Sequence, residues 1–206
     1  MSADITEHEV AIHEAGHAVV AYAFGEQFDQ ISTEGSEPWL GVQTHGHVAF
    51  VNWFDPNVPL TTEKCERAER FVMILLAGVY THHCWRERTL TTAPDQDLLA
   101  RTANIDLLWI MRFTNSLGRV GKYGDDTHAI QETLWQHLGE LVERAGDAYW
   151  LRVEALADAV RGGRTLSWET ATAVLSAVEA HHELPPLFDS WHSILFGSGL
   201  STESAN

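Results

Sequence analysis

The sequence predicts a mainly α-helical domain with a small antiparallel β-sheet next to its first helix. Three observations lead there. Apolar residues recur at helical spacing over most of the chain. Residues 28–54 instead carry β-branched and aromatic residues interrupted by turn signals. The chain has 206 residues, 45% apolar and including 8 Trp, enough for one well-cored domain but not the composition of a disordered chain. Residues 1–183 read as that domain and 184–206 as a partly apolar tail.

The first helix is expected over residues 6–25. Thr6 and Glu9 have capping-box spacing, and Gly25 stands where a C-terminal glycine stop belongs. Val10, Ala15, Val19, Val20, Ala21, Ala23 and Phe24 leave little of its surface polar. Polar side chains on such a helix are therefore expected to be partly buried and in need of partners.

Two or three short strands follow within residues 28–54, with a turn at Gly35 to Pro38. A strand edge beside the first helix can accept an extended peptide as an added strand. Leu40, Gly41, Val42, Gln43 and Thr44 are the candidate substrate-binding segment on that ground. Residues 55–59 read as a loop.

A second helix is expected over residues 63–86, capped by Thr61 or Thr62, with an apolar centre from Phe71 to Gly78 that belongs in the core. His82, His83 and Cys84 lack the spacing of a structural zinc site and read as a polar helix end. Pro94 suits the first turn of a third helix, where Asp95 and Asp97 complement the macrodipole. That helix should reach Ser116, with Gly118 beyond its end. After a loop at 119–125, helical spacing covers 126–161 with a break near Gly146, and Gly162 and Gly163 stop it. Ser167 caps a last helix over 168–182, and Leu184-Pro185-Pro186 ends regular structure. In the tail, Trp191, Ile194, Leu195 and Phe196 form an apolar tract suited to docking on the body or meeting a partner.

Bulk charge narrows the function classes. A net charge of −16 with no basic cluster argues against nucleic acid or an anionic membrane as the partner. Two cysteines, Cys65 and Cys84, make no disulfide framework. Residues 1–20 lack the pattern of a signal peptide, and the longest apolar run, Phe71 to Tyr80, is about half a membrane span. A soluble cytoplasmic protein is the expectation.

Chemistry concentrates in His13-Glu14-Ala15-Gly16-His17. On a helix, positions i and i+4 lie about 40° apart around the axis and roughly 6 Å along it. The imidazoles of His13 and His17 can therefore converge on one ion, and Glu14 can reach a water bound to it. This is the geometry of a catalytic zinc site in a metallopeptidase, with Zn²⁺ as the cofactor and Glu14 as the general base. A helical zincin-type peptidase domain is the fold this implies. A third protein ligand is required. The metzincin continuation is excluded, because Val20 and Ala23 stand where its Gly and His belong. Glu34 and Glu37 fall in a turn-rich stretch, so Asp95 and Asp97 remain.

Several segments in the same order resemble the peptidase half of the FtsH-type, ATP-driven membrane metalloproteases. Residues 12–22 resemble that family's zinc helix, and Leu76-Ala77-Gly78 resembles its Leu-Ala-Gly-Arg-Ala-Ala-Glu segment. Residues 91–98 are similar to its Thr-Thr-Gly-Ala-x-Asn-Asp-Leu, Leu40-Gly41 to the Leu-Gly of its active-site strand, and residues 156–167 to its closing helix pair. The resemblance covers about residues 8–180. It implies that Asp97 is the third zinc ligand and that peptide bonds are cut; without ATP-driven unfolding, flexible or unfolded polypeptides are the expected substrates.

The departures matter as well. No G-x-x-x-x-G-K-[ST] phosphate loop is present, so cleavage is expected to be independent of ATP. The acidic pair after the family's Leu-Ala-Gly segment is replaced by His82 and His83, and Ala93-Pro94 replaces Gly-Ala. Whether the chain forms a homo-oligomer stays open. The rival expectations are a catalytically silent binding module, a zinc hydrolase of a non-peptide amide, and a metal-buffering histidine surface (His45, His47, His82, His83, His181, His182).

Overall fold

Capping residues define the first helix as the sequence requires. The computed structural model describes residues 6–34, 47–50, 61–90, 104–120, 126–185 and 187, and in it α1 spans Glu7–Phe24. The Glu9 backbone N–H donates to Thr6 Oγ1 at 3.2 Å, and the Thr6 N–H donates to Glu9 Oε2 at 2.9 Å, a reciprocal capping box. Gly25 ends the helix in the left-handed region at φ 69°, where a side chain would be strained. Every residue from Glu9 to Ala21 is buried. A helix with so little polar surface is stable only when covered on all sides.

The cover comes from α2, Thr62–Leu90, from α5, Asp147–Val160, and from the sheet. Strands β1, Phe28–Ser32, and β2, His47–Phe50, fall inside the stretch where strands are expected. A third strand, β3, Thr165–Ser167, completes an antiparallel sheet in the order β2-β1-β3. Ile31 stands opposite Val48 on one side and Leu166 on the other. The sequence reading missed β3, because three residues between a Gly-Gly turn and a helix cap carry no alternation to recognise.

Helix α2 outruns its expected limits of 63–86. His82 is fully buried in its interior and does not form part of a polar helix end. Helix α3 is described over Asn104–Arg119 and runs past Gly118; its expected start near Pro94 lies outside the described residues. Helices α4, Thr127–Ala145, and α5 are separated at Gly146, whose φ of 53° interrupts the predicted long helical region. Helix α6, Trp168–His182, follows its Ser167 cap. The fold is mainly helical with a small antiparallel sheet, and no described helix is long and apolar enough to cross a membrane.

Two glycines set the distance between α1 and α2. A Cβ on Gly16 would lie 2.8 Å from the Ala77 carbonyl oxygen and 2.5 Å from Thr81 Oγ1. A Cβ on Gly78 would fall 2.8 Å from His13 Nε2 and 2.5 Å from His17 Cε1. Real side chains do not tolerate such separations, so both positions have to be glycine for the helices to cross this closely. Farther along α2, Thr81 Oγ1 and Tyr149 Oη of α5 share a hydrogen bond of 2.5 Å. Arg152 of α5, with no exposed surface, donates to Glu179 of α6 and to the carbonyls of Ala148 and Pro185. The first residues of the expected tail are thereby tied to the body, and Leu187 is buried in the core. The remainder of 184–206 lies outside the described residues.

Candidate metal centre

Helix α1 presents His13 and His17 one turn apart on its buried surface, and the crossing with α2 governs how their rings stand. The His17 Nδ1–H donates to the Ile74 carbonyl at 2.7 Å. That bond turns the other ring nitrogen, Nε2, into the site. Ile74 supplies this carbonyl four residues before Gly78, so the glycine that allows the close approach also brings the acceptor within reach. His13 Nε2 lies 3.1 Å from His17 Nε2.

A third group arrives from 93 residues away. Asp106, in the first turn of α3, places Oδ2 3.0 Å from His13 Nε2 and 3.4 Å from His17 Nε2. His13, His17 and Asp106 form a candidate metal-binding triad. Its geometry fits an ion. Ligand atoms about 2.0–2.1 Å from a tetrahedral centre are about 3.3 Å apart, and the three separations here are 3.0, 3.1 and 3.4 Å. Two neutral imidazole nitrogens and one carboxylate also form a donor set typical of first-row divalent ions.

Electrostatics at the triad follow from burial acting against close opposite charge. Burial opposes charge on His17, but Asp106 outweighs it and pushes the imidazole up to about 9. The same pairing, against the burial that works to raise it, holds the Asp106 carboxyl well below the usual carboxylate range. Burial lowers His13 below its ordinary value despite the pull of Asp106. Glu14, 5% exposed, is pushed up to about 8 mainly by burial, with Asp106 raising it further and His17 opposing. A cation held by the triad adds positive charge beside Glu14 and draws that value back down.

Behind the triad lies a second buried polar group. Glu9 Oε1 accepts from Arg86 Nη1 and lies 3.5 Å from His82 Nε2, so one carboxylate joins the α1 cap to α2. The His82 ring stands 6.3 Å from that of His13, centroid to centroid. Burial, with help from His13, lowers its pKa to about 4 and keeps the imidazole neutral.

The structure brings His13 and His17 together as the motif requires, and it buries Glu14 where it feels the charges of His17 and Asp106. Asp97 and the candidate strand segment Leu40, Gly41, Val42, Gln43 and Thr44 lie outside the described residues. Among the described residues the carboxylate at the imidazoles is Asp106, which sequence reasoning missed. A signal for it exists: Asp106 falls four residues before Ile110 and seven before Phe113, the buried stripe of α3. No protein-family model matches the chain, and no curated protein matches it significantly.

Proposed function

We propose that this chain is a zinc-dependent peptidase that hydrolyses peptide bonds in flexible or unfolded polypeptides without ATP. The observation carrying the proposal is the buried Glu14 next to a His13–His17–Asp106 triad with metal-ligand spacing. A site that served structure alone would have no need of a carboxylate in that position. Zinc is the ion assigned because a catalytic site takes three N/O ligands and leaves one position for water or substrate. The resemblance of residues 12–22 and 76–78 to the FtsH-type peptidases supports the same reading.

A bound zinc ion would polarise the scissile carbonyl and lower the pKa of the attacking water towards about 7. The chain's own groups perform the remaining work. Glu14 takes a proton from the attacking water and delivers it to the leaving amine. Ile74 keeps His17 in the tautomer whose Nε2 lone pair faces the site. Asp106 offsets the positive charge of the ion with one carboxylate.

The test combines elemental analysis with cleavage of an unstructured protein such as casein. One zinc per chain, chelator-sensitive cleavage, and a Glu14→Gln variant that keeps zinc but loses turnover are the expected results. Turnover by zinc-loaded Glu14→Gln at the normal rate would overturn the role of Glu14. Zinc without cleavage of casein or peptides would leave a binding module or a hydrolase of another amide.

A further inference from the structure

The side of α2 turned away from the metal centre lines a second concavity. Ile74, Gly78 and Thr81 follow one another along the side that meets α1. Tyr80, Cys84 and Glu87 run along another side, since a step of two residues from Gly78 turns about 200° around the axis. There a cleft of about 820 Å³ opens between α2, α4 and the start of α5. Its lining combines three aromatic rings, Tyr80, Trp135 and Trp150, with three carboxylates, Glu87, Glu140 and Glu143.

The rings of Tyr80 and Trp135 meet at 68° with centroids 5.1 Å apart, which makes a two-walled corner. Gly139 adjoins that corner: a Cβ there would stand 3.5 Å from the Tyr80 hydroxyl, so a larger side chain would occupy the space. Across the cleft, Arg88 lays its guanidinium 4.7 Å from the centre of the Trp150 ring. One aromatic face of the cleft thus already holds a cation. Arg88 also makes a long, exposed ion pair with Asp147 at 3.8 Å, and Glu87 pairs with His83 at 3.4 Å. Among the described residues Glu140 and Glu143 have no cationic partner within ion-pair distance. Burial raises the pKa of the Tyr80 phenol most, and the Glu143 and Glu87 carboxylates add to that rise, so their negative charge is felt at the corner.

We propose that this cleft is a binding site for a small organic cation with an ammonium head group. Aromatic faces attract a cation through the ring quadrupole, and surplus carboxylates at the same place add a Coulomb attraction. A compact ammonium touches two rings that meet at an angle. A planar guanidinium instead stacks on a single face, as Arg88 does on Trp150. Anions are repelled by the three carboxylates, and a neutral apolar group gains the ring contact without the charge term.

The test uses choline as the probe and 3,3-dimethylbutan-1-ol as its neutral isostere, titrated into the full chain with binding read by calorimetry and tryptophan fluorescence. Choline should bind saturably and about tenfold more tightly than the isostere. Trp135→Ala should weaken choline by a similar factor. The double variant Glu140→Gln/Glu143→Gln, at exposed positions that leave the core intact, should weaken choline selectively and leave the isostere unchanged. Equal affinity for the two probes, no saturable choline binding, or choline binding unaffected by the double variant would each overturn the proposal. None of these residues belongs to the triad, so the result is expected with or without chelator and is independent of any peptidase activity.

Discussion

His13 and His17 hold their Nε2 atoms 3.1 Å apart, and only Asp106 among the described residues brings a carboxylate to both. Asp106→Asn should therefore weaken zinc binding by about a hundredfold or more, an effect at the upper end of outer-sphere losses or beyond it. Competition titration against a chromophoric chelator measures the loss, and parental zinc affinity in Asp106→Asn would remove Asp106 from the ligand set. The same titration on Asp97→Asn tests the ligand that the family resemblance implies. Proton release gives a second check. With His17 raised to about 9, the metal-free chain carries a proton there at pH 7.5 that a ligand nitrogen has to lose. Zinc binding should release at least about one proton, read from calorimetry in buffers of different ionisation enthalpy. The apparent affinity should fall as pH is lowered, because protons and metal compete for the same nitrogens.

Between elements, the crossing of α1 and α2 depends on space. Helix propensity alone favours alanine over glycine by about 1 kcal/mol at an interior position such as 78. Tertiary packing reverses the sign, since the added Cβ meets His13 Nε2 at 2.8 Å. Gly78→Ala should destabilise the fold by about 1–3 kcal/mol in urea unfolding, as overpacking does. It should also reduce zinc affinity, because α2 cannot retreat without withdrawing the Ile74 carbonyl from His17. Gly78→Ala protein with parental stability and zinc affinity would show that the helices do not cross this closely. The α5–α6 contact depends on charge. Arg152 has no exposed surface and its partner Glu179 is 19% exposed on its side chain. Arg152→Met should cost about 3–5 kcal/mol, because it leaves Glu179 Oε1 and the Pro185 carbonyl without their donor, with only the Tyr22 hydroxyl still donating to Oε2 of that carboxylate.

For the whole molecule, stability against acid should depend on His82. Its pKa is about 4 in the folded chain and 6.5 when exposed to water. Between those values the unfolded chain binds more protons, so stability falls as pH drops from about 6.5 to about 4. Two to three pH units correspond to a loss on the order of 3 kcal/mol. His82→Gln, which stays neutral throughout, should flatten that slope whatever it does to stability at neutral pH. Chemical denaturation at several pH values reads the difference, and an unchanged slope would remove His82 as the cause.

What the sequence determined by itself is local. Thr6, Glu9 and Gly25 bound α1, Ser167 starts α6 and Gly146 divides α4 from α5 through contacts or dihedrals within a few residues. The pairing of His13 with His17 was legible for the same reason, since helical geometry alone places i beside i+4. The third carboxylate was not. Asp106 falls on the buried stripe of α3, but only the fold, across 93 residues, carries it to His13, and Asp97 lies outside the described residues. Likewise, nothing local marks His82 as buried or Gly78 as the place where two helices meet. Both follow from which faces pack together, and that is decided by covering the apolar surface of α1 on every side.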